Sequence, residues 1–191
     1  MAKQIIIGIT GTLGAGKGEI VKYLVNKKGF NHFSVSDYLI REIKKRKLPV
    51  NRESMRTVAN KIRTEKGSGF IADKLYQKAK KTKKNSIIES IRTLGEVKTL
   101  KEKGNFYLFA VDANSKIRFE RIKKRESEKD NVTYDEFLDA ERKEMVSNDP
   151  AIQNLKKCIE IANYKFENNG SFKNLYKQID NALKKIPTKT K

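Results

Sequence analysis

The chain contains one cysteine, one histidine, no tryptophan and three prolines among 191 residues. A single cysteine, Cys158, excludes an internal disulfide and fits a reducing compartment. As a small residue on an apolar helical face, it is expected to be buried and inert. One histidine and one cysteine are too few for a transition-metal site, so His32 is expected to be a packed strand residue. No apolar run reaches the roughly 20 residues needed to cross a bilayer. The N-terminal apolar run is short and lacks a signal-peptide layout. A cytoplasmic protein without membrane association is the expectation. Carboxylates are also scarce: 23 acidic residues face 43 basic ones, a net charge of +20. Such a surface attracts polyanions and makes RNA or DNA a candidate partner, beside the plainer alternative of a solvated lysine-rich surface. Lysines run from end to end, whereas all ten arginines lie between Arg41 and Arg142. Arginine's planar fork suits bidentate phosphate binding, so the arginines are the candidate site residues.

The most informative segment is Gly11-Thr12-Leu13-Gly14-Ala15-Gly16-Lys17-Gly18, directly after the apolar run Ile5 to Ile9. Strand, glycine-rich turn and helix start in this order form a phosphate-binding loop. The glycines let backbone N–H groups turn toward anionic oxygens, while the helix N-terminus and Lys17 add positive charge. Gly18 stands where a serine or threonine is usual. Glu19 follows as a carboxylate on the first turn, stable at a helix N-terminus but repelling a triphosphate unless Mg²⁺ or water intervenes.

Periodicity places a buried strand at 4–10 and a helix from Gly16 that stops at Gly29. A second strand is expected at His32–Val35, and a helix from Asp37, whose side chain could serve as N-cap. Asn51 is the expected cap of a helix carrying Met55, Val58, Ala59 and Ile62. Ile71, Leu75 and Ala79 mark another. Strands follow at 86–89, 106–111 and 164–167. Arg118, Arg121 and Arg125 share one face of a helix from Asn114. Thr133-x-x-Glu136 is a capping box, and a last helix ends before Pro187. Alternating strands and helices imply an α/β fold: a five-stranded parallel sheet with helices on both faces. The strand C-terminal ends then gather the loop, Asp37, Glu89 to Arg92, and Asp112 along one edge.

In this order the segments resemble the nucleoside-monophosphate-kinase-like P-loop kinases, such as adenylate kinase and dephospho-CoA kinase. The loop Gly11 to Gly18 is similar to the adenylate kinase loop, which also has glycine after the lysine. Ser34-Val35-Ser36-Asp37-Tyr38-Leu39 resembles the family's acceptor-pocket segment. Glu89-Ser90-Ile91-Arg92 resembles its Asp-Gly-x-(Pro)-Arg, and Arg121 to Arg125 its Arg-x3-Arg leading into a lid. The resemblance implies a single P-loop kinase domain. Its core would be 1–40, 85–125 and 146–186, with an acceptor-binding insertion at 41–84, a lid at 126–145 and a basic tail at 187–191.

The resemblance further implies transfer of the ATP γ-phosphoryl group to a nucleotide-type acceptor, a nucleoside monophosphate or dephospho-CoA. Gly11, Thr12, Leu13, Gly14, Ala15, Gly16, Lys17, Gly18 and Glu19 would bind ATP. Glu89 would hold Mg²⁺ through water, its alternative being pairing with a nearby lysine. Asp37 would be an acceptor-side base or orienting group, Arg92 a grip on the acceptor phosphate, and Arg121 and Arg125 lid arginines. Arg142 is a weaker candidate of that kind. Arg118 is expected on a solvated face, and Arg63 either against the acceptor or on the surface. The competing reading is an RNA-associated ATP-dependent switch on the same fold. The sequence assigns no oligomeric state.

Overall fold

The computed structural model describes residues 4–125 and 132–187. Five parallel strands form one sheet in the order β2-β3-β1-β4-β5. They are β1 (Ile6–Gly11), β2 (Asn31–Ser34), β3 (Ser86–Glu89), β4 (Phe106–Asp112) and β5 (Tyr164–Glu167). The central strand β1 is buried at every residue, as a parallel strand covered on both faces must be. Register aligns Ile9 with Glu89 and Phe109, Gly11 with Val111, and Ser34 with Glu89. The strand C-terminal ends therefore form one ledge.

Helices α1 (Lys17–Lys28), α2 (Val35–Lys45), α3 (Arg52–Lys66), α4 (Phe70–Lys81) and α5 (Leu94–Glu102) precede β4. α6 (Ser115–Lys123), α7 (Tyr134–Met145), α8 (Leu155–Glu160) and α9 (Phe172–Lys185) complete the chain. Alternate strand residues feed two cores. Ile6, Ile88 and Leu108 meet Leu39, Ile62 and Leu75 on one face. Ile7, Ile9 and Phe109 meet Leu24, Leu175 and Ile179 on the other.

Several expectations change at element ends. β2 ends one residue early because Ser34 caps α2, its hydroxyl accepting from the Asp37 N–H at 3.2 Å. Asp37 therefore sits inside the first turn and is not the cap. α2 is continuous across position 41, the start of the expected insertion. Asn51 does cap α3, and Gly29 closes α1 in the left-handed conformation. The reading from periodicity omitted α5. Its start, Thr93-x-x-Glu96, is a full capping box, as is Thr133-x-x-Glu136 on α7. His32 lies exposed on the edge strand β2 rather than packed. Residues 126–131 of the expected lid and 188–191 of the expected tail lie outside the described residues.

α7 is docked, not free-standing. Phe137 is buried against Phe119 of α6, with Tyr134 at 5.2 Å from the Phe119 ring. No helix among the described residues is long and apolar enough to cross a membrane.

Candidate functional site

The phosphate loop links β1 to α1 at the sheet ledge. At Gly11 (φ 140°) a Cβ would stand 2.1 Å from the Val111 carbonyl oxygen, and at Gly14 (φ 78°) 2.5 Å from that of Arg118. Both positions need glycine for backbone angle and for space. Lys17 Nζ folds back to donate to the carbonyls of Gly11 and Thr12, each at 2.8 Å. Burial, reinforced by the Arg92 charge, lowers its pKa to about 8. Thr12 Oγ1 donates to Asp112 Oδ1 at 2.5 Å, tying the loop to the end of β4.

A cavity of about 660 Å³ opens over this loop. Lys17, Arg92, Arg121, Lys124 and Arg125 bring five cationic side chains to it, against Glu19 and Glu89. Burial and the neighbouring Arg125 disfavour the Arg121 charge. Gathering like charges without matching carboxylates is costly unless an anion is to be received. Arg121 Nη2 donates to the Asn168 carbonyl at 2.9 Å, while Arg121 Nη1 is buried without a partner. Glu19 is engaged by the Tyr176 hydroxyl, and that hydrogen bond pushes the phenol up to about 12.

A second cavity, about 190 Å³, lies between α2, α3 and the end of β3. Val35, Leu39, Ile40 and Met55 give it apolar walls, while Arg52, Arg56, Arg92 and Gln153 give it polar ones. Ser36, Ser90 and Arg92 line both cavities and so mark their junction. Ser90 holds φ 70°, a backbone angle that serine seldom adopts. Its hydroxyl donates to Glu89 Oε1 at 2.6 Å and lies 3.0 Å from that of Ser36.

The residues expected from sequence are distributed as follows. Lys17, Glu19, Glu89, Arg92, Arg121 and Arg125 converge on the loop cavity. Glu89 contacts hydroxyls, Ser34 at 3.1 Å and Ser90, rather than a lysine. Asp37 is exposed and lines neither cavity, so its position does not support the acceptor-side role. Arg142 is exposed and paired with Asp139.

Arg118 is not on a solvated face: it is 4% exposed and joins three elements. It donates to the Ala113 carbonyl at 2.7 Å, to the Leu13 carbonyl at 3.1 Å and to Glu141 of α7. Arg63 is not on the surface either; it is buried against Glu96 and lines the smaller cavity. Cys158 is buried, and burial pushes its thiol up to about 12.

Sequence reasoning did not single out Glu144 of α7, which holds Arg92 in an ion pair, or Gln153, whose Oε1 accepts from Arg92 at 3.5 Å. It also passed over Asn168, whose side chain donates to the Ala15 carbonyl at 2.8 Å and braces the loop.

A family model described as an AAA domain matches residues 10–137. The UPF0200 protein of Methanocaldococcus jannaschii is 31% identical over 186 residues, covering 96% of this chain and 91% of that protein. That of Pyrococcus abyssi is 30% identical over 188 residues, covering 95% and 97%.

Among solved structures, a gluconokinase from Sinorhizobium meliloti 1021 superposes with a TM-score of 0.58 at 9% identity, covering 97% of this chain and 95% of that one. Shikimate kinase from Aquifex aeolicus gives 0.54 at 14%, covering 94% and 96%. These likenesses show the fold, an α/β P-loop kinase-type fold like that of the nucleoside monophosphate kinases. The chain belongs to the AAA-domain family whose model it matches and to the UPF0200 proteins.

Proposed function

We propose that the protein is an ATP-dependent phosphotransferase that moves the γ-phosphoryl group to a nucleotide-type acceptor, a nucleoside monophosphate or a dephospho-CoA-like molecule. The observation that carries this reading is the meeting of two cavities at Ser36, Ser90 and Arg92: one cationic and built on the phosphate loop, one partly apolar. Phosphoryl transfer asks a protein chiefly for positioning and charge neutralisation. Loop N–H groups and Lys17 would hold the β- and γ-phosphates, Lys17 exchanging its two carbonyl partners for phosphate oxygens. Arg121 and Arg125 would neutralise the group in transit, with Arg121 Nη1 still free to donate. Arg92 would take the acceptor's phosphate in place of Glu144.

Mg²⁺ fits here as a water-shelled ion. Of the two carboxylates at the cavity wall, Glu19 is engaged by Tyr176, and no group of three potential ligands gathers among the described residues. Glu89 would hold such an ion through water, the ion supplying further neutralisation of phosphate charge.

ADP release from Mg·ATP, measured over a panel of nucleoside monophosphates and dephospho-CoA, tests the reading. A rise with one acceptor, lost in Lys17→Ala, supports it; a flat panel rejects it. The +20 charge favours a second reading, an RNA-associated ATP switch. Under it, RNA affinity falls steeply with salt and changes with bound ATP.

A further inference from the structure

The smaller cavity contains a buried group with an unused donor edge. Arg63 is 1% exposed and lies in the wall with Val35, Leu39, Ile40 and Met55. Its Nε and Nη2 both donate to Glu96 Oε1, at 3.2 and 2.8 Å. Glu96 cannot swing away, because its Oε2 accepts from the Arg92 and Thr93 backbone N–H groups at 2.9 and 3.2 Å. A guanidinium is a rigid plane, so fixing one edge fixes the other. The edge left over is Nη1, which is buried and has no hydrogen-bond partner. A buried donor left unpaired costs stability, and this one belongs to a residue that lines a cavity.

We infer that Arg63 biases which base the acceptor carries: a nucleobase presenting an exocyclic carbonyl oxygen to Nη1, an oxopurine or a pyrimidine, in preference to adenine. This rests on the reading of the cavity as a nucleotide-acceptor site. Nη1 is a donor only, and a carbonyl oxygen offers it two lone pairs. The exocyclic amino group of adenine would set donor against donor and leave only ring nitrogens, each with a single in-plane lone pair, to accept. A second anionic group at Nη1 fits less well, since the Arg63 charge is already balanced by Glu96 whereas Arg52, Arg56 and Arg92 line the polar side of the cavity. A neutral carbonyl takes the hydrogen bond without burying a further charge. Arg92, at the junction, stays available for the phosphate of the same molecule. The inference ranks adenine-based acceptors, dephospho-CoA included, below those with oxo-bearing bases.

The test is calorimetric titration of the full chain with GMP, IMP, UMP, CMP and AMP. At least one carbonyl-bearing nucleotide is expected to bind about 10- to 100-fold more tightly than AMP, the range for a hydrogen bond to a charged group. Arg63→Lys keeps a charge against Glu96 but lacks Nη1, and the preference is expected to shrink to within about threefold. If Arg63→Lys does not fold, the paired variant Arg63→Met/Glu96→Gln removes the charges together and gives the same readout. AMP binding as tightly as the best of the others overturns the inference alone, as does a preference that survives both substitutions. Failure of all five to bind, with ATP still held by the loop, overturns the nucleotide-acceptor reading and the inference with it.

Discussion

Glu96→Gln is the sharpest perturbation of this fold. Both side chains of the Arg63–Glu96 pair are 0% exposed. Glutamine keeps an oxygen for the Arg92 and Thr93 amides but removes the charge opposite Arg63. Stranding one member of a buried ion pair costs about 3–5 kcal/mol. For a domain of this size each kcal/mol lowers Tm by about 2–4 °C, so a fall of about 6–20 °C is expected. Thermal unfolding followed by circular dichroism reads it directly. In Arg63→Met/Glu96→Gln no charge is left buried and the methionine fills similar volume, so at least half of the loss is expected to return. A fall below about 2 °C in the single variant, or a double variant as unstable as the sum of its parts, would refute the reasoning.

Glu144→Gln releases Arg92 from its carboxylate; the ion pair is partly exposed, so the acceptor KM should fall only about two- to fivefold. Initial rates against acceptor concentration check this, and a raised KM contradicts it. Lys17, with its pKa lowered to about 8, is mostly charged at pH 7 and mostly neutral at pH 9. Phosphate favours the charged form, so binding raises that pKa, and ATP affinity should weaken by up to about tenfold between those pH values. Titrations in buffers of differing ionisation enthalpy would show the proton taken up; affinity unchanged across the range would contradict the assignment. Gly11→Ala forces a Cβ onto the Val111 carbonyl, which should cost at least about 2 kcal/mol in denaturant unfolding and abolish ATP binding.

The parts of the fold that could be read from sequence are those set by local chemistry. β1, the glycine loop and the caps at Asn51 and Thr133 each announce themselves within a few residues. α5 was equally legible, since Thr93-x-x-Glu96 has the same form as the recognised capping box on α7. The ledge residues Glu89 and Arg92 followed from strand order. Pairings across the chain could not be read in this way. Arg118 reads as one of three arginines on a helix face, and only the docking of α7, through its Phe137, on Phe119 of α6 brings Glu141 to it. Glu144 reaches Arg92 by the same docking. Arg63 carries the polar face of a helix pattern, yet α5 supplies a buried carboxylate that draws it inward. Ser90 gives no sign in sequence of the glycine-like backbone angle it adopts.

Transfer of label from γ-³²P ATP onto a nucleotide acceptor tests the central claim most directly. The account predicts labelled product with at least one acceptor, reduced about a hundredfold or more in Lys17→Ala with Tm retained. ATP bound at the loop but no label transferred to any nucleotide would contradict it.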